Sequence, residues 1–143
     1  MSLEKPHFVL DSFALVAFFR AEAGGSRVRE LLESARTGDI RLSLTTVNLG
    51  EAFYLMVRTD GLERAHEMLG RVREYGIDIV DVDEELALMA GVLKAGMRVG
   101  YADCFVAALA QRLGAAVVTG DSDFRKLEDT VLPGRIEWLP GAR

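Results

Sequence analysis

Short apolar runs alternate along this chain with longer stretches whose apolar residues recur every three or four positions. The segment "HFVLD" (7–11) is an apolar run closed by an acid, and it predicts a first strand. "SFALVAFFRAE" (12–22) predicts a largely buried helix that Gly24 and Gly25 end. In "SRVRELLESARTG" (26–38), Val28, Leu31, Leu32 and Ala35 share a helical face that Gly38 closes. "IRLSL" (40–44) alternates apolar and polar residues as a strand does. "TTVNLGEAFYLMVRTDG" (45–61) predicts a helix capped by Thr45, Thr46 or Asn48 and stopped at Asp60-Gly61. The next helix places Leu62, Ala65, Leu69 and Val72 on one face. "IDIVDV" (77–82) is a strand, "DEELALMAGVLKAG" (83–96) and "YADCFVAALAQRLG" (101–114) are helices, and "AAVVTG" (115–120) and "RIEWLP" (135–140) are strands.

Strands separated by helices, without hairpin turn signals between them, predict an α/β fold with a central, mostly parallel sheet of four to five strands. No repeat, low-complexity tract or Pro/Ser-rich linker divides the chain, so residues 1–143 read as one domain. Half of the residues are hydrophobic and 27% are charged, a balance that suits a packed core rather than disorder. No apolar run has the length of a membrane span, and "MSLEKPHFVLD" carries no signal core, so the expected location is the cytoplasm. The opening Met1–Leu3 is compatible with an expression remnant. A single cysteine, Cys104, excludes an intramolecular disulfide and a cysteine-cluster zinc site. It falls opposite the stripe of Ala102, Phe105, Val106, Leu109 and Leu113, which predicts an exposed or interfacial thiol.

Charge changes the picture when its placement is considered. The net charge is −5, and removing Asp11, Glu51, Asp103, Asp121 and Asp123 alone brings it to 0. Singly, these acids have ordinary explanations. Asp11 and Asp121 stand at strand ends, where each is able to cap a helix. Asp103 lies in a first helical turn, favoured by the helix dipole. Glu51 has Val47, Tyr54 and Leu55 as helical neighbours and no basic residue at i±3 or i±4; its structural explanation is a capping box with Asn48. Asp123 is either a fifth member of the group or the cap of a short helix from Phe124. Together, acids on four elements suggest a shared cation, because clustered carboxylates do not stay ionised without one. Oxygen donors suit Mg²⁺ or Mn²⁺, and such a site suits phosphodiester hydrolysis. His7 and His66 have no companion at ligand spacing and read as bystanders. Arg20, Arg58, Arg98, Arg125 and Lys126 are candidates for phosphate contacts.

The ordered segments "LDSFALVAFF", "TTVNLGEAFY", "YADCFVAALA" and "VTGDSDF" resemble PIN-domain nucleases, in particular the VapC-type toxins of prokaryotic toxin–antitoxin pairs. The resemblance spans residues 8 to about 139. It implies a PIN-like three-layer α/β/α fold and a Mg²⁺- or Mn²⁺-dependent ribonuclease. Asp11, Glu51, Asp103 and Asp121 then correspond to the metal-binding catalytic acids, with Asp123, Thr119 and Ser12 around them. It also implies a homodimer and a small antitoxin that wraps the helical face and inserts a basic residue into the acidic pocket. In one respect the chain departs from the family, since Ser12 is followed by Phe13 where a second hydroxyl or amide is common. A HAD-like phosphatase is the alternative enzyme, but it requires an aspartate at the position of Phe13. A receiver-like phosphoacceptor lacks its paired early acid and late lysine here, and a non-catalytic α/β binding module requires every acid to be only a cap.

Overall fold

A computed structural model describes residues 4–141; Met1–Leu3, read above as a possible remnant, lie outside them. The elements in order are β1 (His7–Leu10), α1 (Ser12–Phe19), α2 (Gly25–Arg36), β2 (Arg41–Thr45), α3 (Thr46–Asp60), α4 (Leu62–Val72), β3 (Ile77–Val80), α5 (Glu84–Gly96), α6 (Tyr101–Leu113), β4 (Ala116–Thr119), α7 (Phe124–Glu128) and β5 (Ile136–Trp138). The five strands form one sheet in the order β3-β2-β1-β4-β5, and every neighbouring pair is parallel.

Side-chain alternation divides the core between the two faces of the sheet. Val9 and Val117 face α5, α6 and α7, and pack with Leu86, Ala90, Val106, Leu109, Phe124 and Leu127. Leu10, Leu42, Leu44 and Val118 face α1 to α4, and pack with Leu15, Leu32, Met56 and Met68. This is the three-layer α/β/α arrangement. Each of these buried aliphatic side chains contributes roughly 1.5–3 kcal/mol. A one-residue slip of β1 or β2 would exchange the faces and forfeit several such contributions at once, so the register is firmly set.

Three local expectations are corrected. The Gly24-Gly25 pair opens α2 rather than ending α1, which stops at Phe19 with Arg20 as its cap. A Cβ on Gly25 would lie 2.6 Å from the Ala17 carbonyl oxygen, so the close crossing of α1 and α2 requires glycine there. On α4, Met68 is fully buried whereas Leu62, beside the Gly61 turn, is 57% exposed. The strand expected over 77–82 ends at Val80, and the Val82 N–H donates to the Thr46 hydroxyl at 3.3 Å instead of continuing the ladder.

The largest correction concerns Cys104, which is fully buried. Every residue from Cys104 to Ala110 is buried, because α6 lies against the sheet with α5 and α3 also packed on it. Its small residues, Ala107, Ala108 and Ala110, allow neighbours to approach on several sides, so no outward face remains at Cys104. Burial also raises the thiol pKa, with the nearby Asp103 charge adding to the effect. A thiol reagent such as DTNB is therefore expected to label the folded protein at least roughly 100-fold more slowly than the denatured chain, as opening must precede reaction. Rapid stoichiometric labelling of the native protein would contradict this packing.

Candidate active site

The strand order reverses direction between β1 and its neighbours β2 and β4, and ligands of open parallel sheets bind at such a point, beyond the carboxyl ends of the strands. Asp11 leaves β1 there, and Thr119 ends the adjacent β4. A cleft of about 340 Å³ opens at this edge, lined in part by Asp11, Ser12, Glu51, Asp103 and Asp121. Four acids separated by up to 110 positions in sequence thus meet in one depression.

Asp11 is the most deeply placed, at 2% exposure. It does cap α1: its Oδ1 accepts from the Ala14 N–H at 2.8 Å. Its Oδ2 accepts from the Thr119 hydroxyl, which in turn accepts from the Asp121 N–H at 2.9 Å. Thr119 therefore ties the acid after β1 to the turn after β4. Burial pushes the Asp11 carboxyl up to about 7; the bonds from Thr119 and Ala14 oppose that rise, and the charges of Asp121 and Glu51 add to it. Capping and membership of the cleft are both true of this residue.

Glu51 is not part of a capping box. The cap of α3 is Thr45, whose hydroxyl accepts from the Asn48 N–H at 3.0 Å, so Asn48 is already inside the helix. Glu51 lies one turn further on and accepts from the Ser12 hydroxyl, which joins α3 to the start of α1. Asn48 has a role that its helical spacing alone does not reveal. It is fully buried, exchanges a hydrogen bond with Thr45, and donates through Nδ2 to the Ala102 carbonyl at 3.0 Å. That bond fixes the helix of Glu51 against the residue next to Asp103. A polar residue one turn before Glu51 was the available signal, and it had a simpler reading as a cap.

Asp103 sits in the first turn of α6, where no side chain caps the helix. Burial pushes its carboxyl up to about 7, followed by the charges of Asp11, Asp121, Glu51 and Asp123. One carboxylate oxygen each from Asp103, Asp121 and Asp123 lies within 4.8 Å of the other two. Asp121 Oδ1 accepts from the Asp123 N–H at 2.9 Å, which closes a tight turn. Asp123 precedes α7 but its side chain makes no capping bond, so the helix-cap explanation does not hold. A Cβ on Gly120 would lie 2.3 Å from the Phe13 ring, so a larger residue in this turn would have to displace that ring.

The donor set contains only oxygens. His7 bonds Ser43 at 2.8 Å, His66 packs edge-on to Phe53, and Cys104 is in the core. Carboxylates crowded in this way fit a hard divalent cation better than a soft one. Of the basic candidates, Arg20 lines the cleft and is paired with Glu22 and Asp60 at 3.6 and 3.7 Å. Arg58 lies over Tyr54, Arg125 over Trp138, and Lys126 donates to the Arg98 carbonyl at 2.8 Å. Tyr54, Leu55 and Thr59 also line the cleft, and helical spacing from Glu51 was the signal that could have indicated the first two.

A family model described as the PIN domain matches residues 8–129. Among solved structures, VapBC2 from Rickettsia felis, bound to a promoter DNA fragment, covers 93% of this chain and 98% of its own, with a TM-score of 0.71 at 17% identity. Mycobacterium tuberculosis VapC20, a Sarcin-Ricin loop cleaving toxin, covers 84% of this chain and 94% of its own, with a TM-score of 0.71 at 18% identity. DNA-bound VapBC from Salmonella typhimurium covers 92% and 97%, with a TM-score of 0.70 at 24% identity. At these identities the likeness is one of fold. No curated protein matches the chain in sequence. The family match runs from β1 to α7 and takes in every acid of the cleft; the chain belongs to the PIN-domain family.

Proposed function

We propose that this protein is a Mg²⁺- or Mn²⁺-dependent endoribonuclease and the toxin of a toxin–antitoxin pair. The observation that carries the reading is the convergence of Asp11, Glu51, Asp103 and Asp121 on one cleft at the strand-order switch of a PIN domain. Family membership sets aside the phosphatase and receiver-like alternatives, and a cleft that assembles four acids from separate elements is more than a set of helix caps.

The four carboxylates, with Asp123 beside Asp103 and Asp121, are the residues that would hold the ion. When bound, such an ion supplies charge to a phosphodiester and acidifies water. The remaining chemistry belongs to the chain. Thr119 and the Ala14 N–H orient the Asp11 carboxylate, and Ser12 orients Glu51. Asn48 keeps α3 and α6 at a set distance, so the acids they carry do not spread apart under mutual repulsion. Arg58, Arg98, Arg125 and Lys126 are exposed cations available to the phosphate backbone.

The solved neighbours from R. felis and S. typhimurium are toxin–antitoxin complexes, which supports a small antitoxin partner that places a basic side chain in the acidic cleft. Leu88 and Val92, one turn apart on α5 and 64% and 74% exposed, support a homodimer. No helix among the described residues is long and apolar enough to cross a membrane, in keeping with a cytoplasmic site of action.

Cleavage of RNA is expected to require Mg²⁺ or Mn²⁺ and to stop with EDTA. Asp103→Asn should lower the rate by roughly 100- to 1,000-fold, as loss of a preorganised charge does elsewhere. Undiminished cutting in EDTA, with small phosphate esters hydrolysed instead of RNA, would overturn the reading. Mapping RNA ends in cells that express wild type or an Asp11 variant identifies the target.

A pH dependence also follows. Asp11 and Asp103 have folded pKa values of about 7 against 3.8 for the free side chain, so the folded state binds more protons between these values. Metal-free stability should therefore fall as pH rises through that window. Asp103→Asn relieves part of this loss. In EDTA its Tm should exceed that of wild type by roughly 2–4 °C at neutral pH, the shift for about 1 kcal/mol. The gap should narrow towards about pH 4, and also when Mg²⁺ is added. A gap that widens with acidity would show that the carboxylates do not repel one another as described.

A further inference from the structure

One face of α3 carries Glu51, Tyr54 and Arg58 in successive turns. Tyr54 lies about 4.5 Å along the helix axis from Glu51, and Arg58 about 6 Å beyond that. Tyr54 is 45% exposed and lines both the acidic cleft and an adjoining apolar surface formed by Phe53, Val57, Arg58 and Leu62. The Arg58 guanidinium lies 5.1 Å from the Tyr54 ring centroid. Arg58 stands in none of the ion pairs among the described residues, in contrast to Arg20 across the cleft. A flat aromatic surface, stiffened by a cation with no carboxylate partner, thus borders the acids.

We propose, on the ribonuclease reading above, that Tyr54 is a stacking platform for one unpaired base beside the phosphate at the acids, with Arg58 contacting that nucleotide's backbone. The substrate at this point is then a single strand, because a base within a duplex already has both faces covered. The occupant is nucleic acid rather than an apolar peptide, since the platform is continuous with the cleft of Asp11 and Asp103 and its cation complements a phosphate. Tyr54 is in this sense a residue that binds and selects substrate, and the hydrolytic step belongs to the acids.

The test uses a short single-stranded RNA that the wild type cuts, with 2-aminopurine placed at successive positions, and the variants Tyr54→Ala, Tyr54→Phe, Tyr54→Leu and Arg58→Ala. Tyr54→Ala should lower kcat/KM roughly 5- to 100-fold, chiefly through KM, as loss of a base stack does. Tyr54→Phe should stay near wild type and Tyr54→Leu should be as poor as alanine, all with unchanged Tm. Fluorescence should be quenched at one position beside the cut with wild type and not with Tyr54→Ala. An abasic substitution at that position should abolish the difference between the two proteins. Arg58→Ala should reduce the slope of log affinity against log salt by about 0.7. Equal cutting by Tyr54→Ala, full activity of Tyr54→Leu, or equal cutting of duplex RNA would overturn the platform. Leucine rescue would mark the contact as a general apolar one that needs no aromatic face. A wild type that cuts no RNA overturns the ribonuclease reading itself, whereas a wild type that cuts beside an equally active Tyr54→Ala overturns the platform alone.

Discussion

Carboxylates crowded into a partly buried cleft repel one another, and much of the local structure can be understood as what holds them there. Asp11 is sealed at 2% exposure with one hydrogen bond to each oxygen. Left unpaired, a buried carboxylate would cost several kcal/mol or lose its charge. The bonds from Ala14 and Thr119 offset part of that cost, while burial still pushes the carboxyl up to about 7. The residual tension favours a positive charge in the cleft. A carboxylate placed singly in the same cleft would have no such need.

The repulsion is tolerated because the acids are mounted on elements that the hydrophobic core positions independently. Val9 and Leu10 lock β1 between two packed layers, and Val117 and Val118 do the same for β4. Their chain ends are then adjacent whatever the charges prefer. Core burial contributes roughly 1.5–3 kcal/mol for each large side chain. The electrostatic cost at the cleft is met from a much larger reserve. Buried polar bridges then set the finer distances, with Asn48 between α3 and α6 and Thr119 between the turns after β1 and β4. Phe13, which departs from the family pattern, has a packing role, since it lies over Gly120 and shapes the turn that carries Asp121.

The charge distribution divides this acidic protein into two regions. The inner cleft concentrates negative charge, whereas the cations outside it are spread over α3, the loop before α6, and α7. Nucleic acid would be attracted at the periphery and repelled at the centre until a cation is present there. A net charge of −5 therefore says little about partners. Exposed apolar residues likewise fall into separate places, with Leu88 and Val92 on α5 and Tyr54 and Leu62 along the α3–α4 pair.

Much of the architecture was legible in the sequence, because alternation of apolar residues and helix caps act over a few positions. The strand and helix order, the parallel sheet and the acids at strand ends all follow from such short-range patterns. Local side-chain chemistry also located the helix start after Asp11 and placed Thr45 among three candidate caps for α3, whereas Asp83, read as part of the helix, proved to be the cap of α5. What sequence spacing could not supply was the set of neighbours on the third side of each element. Cys104 looked exposed because a helical wheel sees one partner, whereas α6 has the sheet, α5 and α3 around it. Asn48 looked like a cap because its partner, the Ala102 carbonyl, lies 54 positions away. Glu51 had no basic neighbour in its helix, and only the tertiary fold brought it the Ser12 hydroxyl and the other acids. Short-range patterning determined which elements form and where their polar ends lie; long-range packing, where burial energy outweighs local charge preference, decided which of those ends meet.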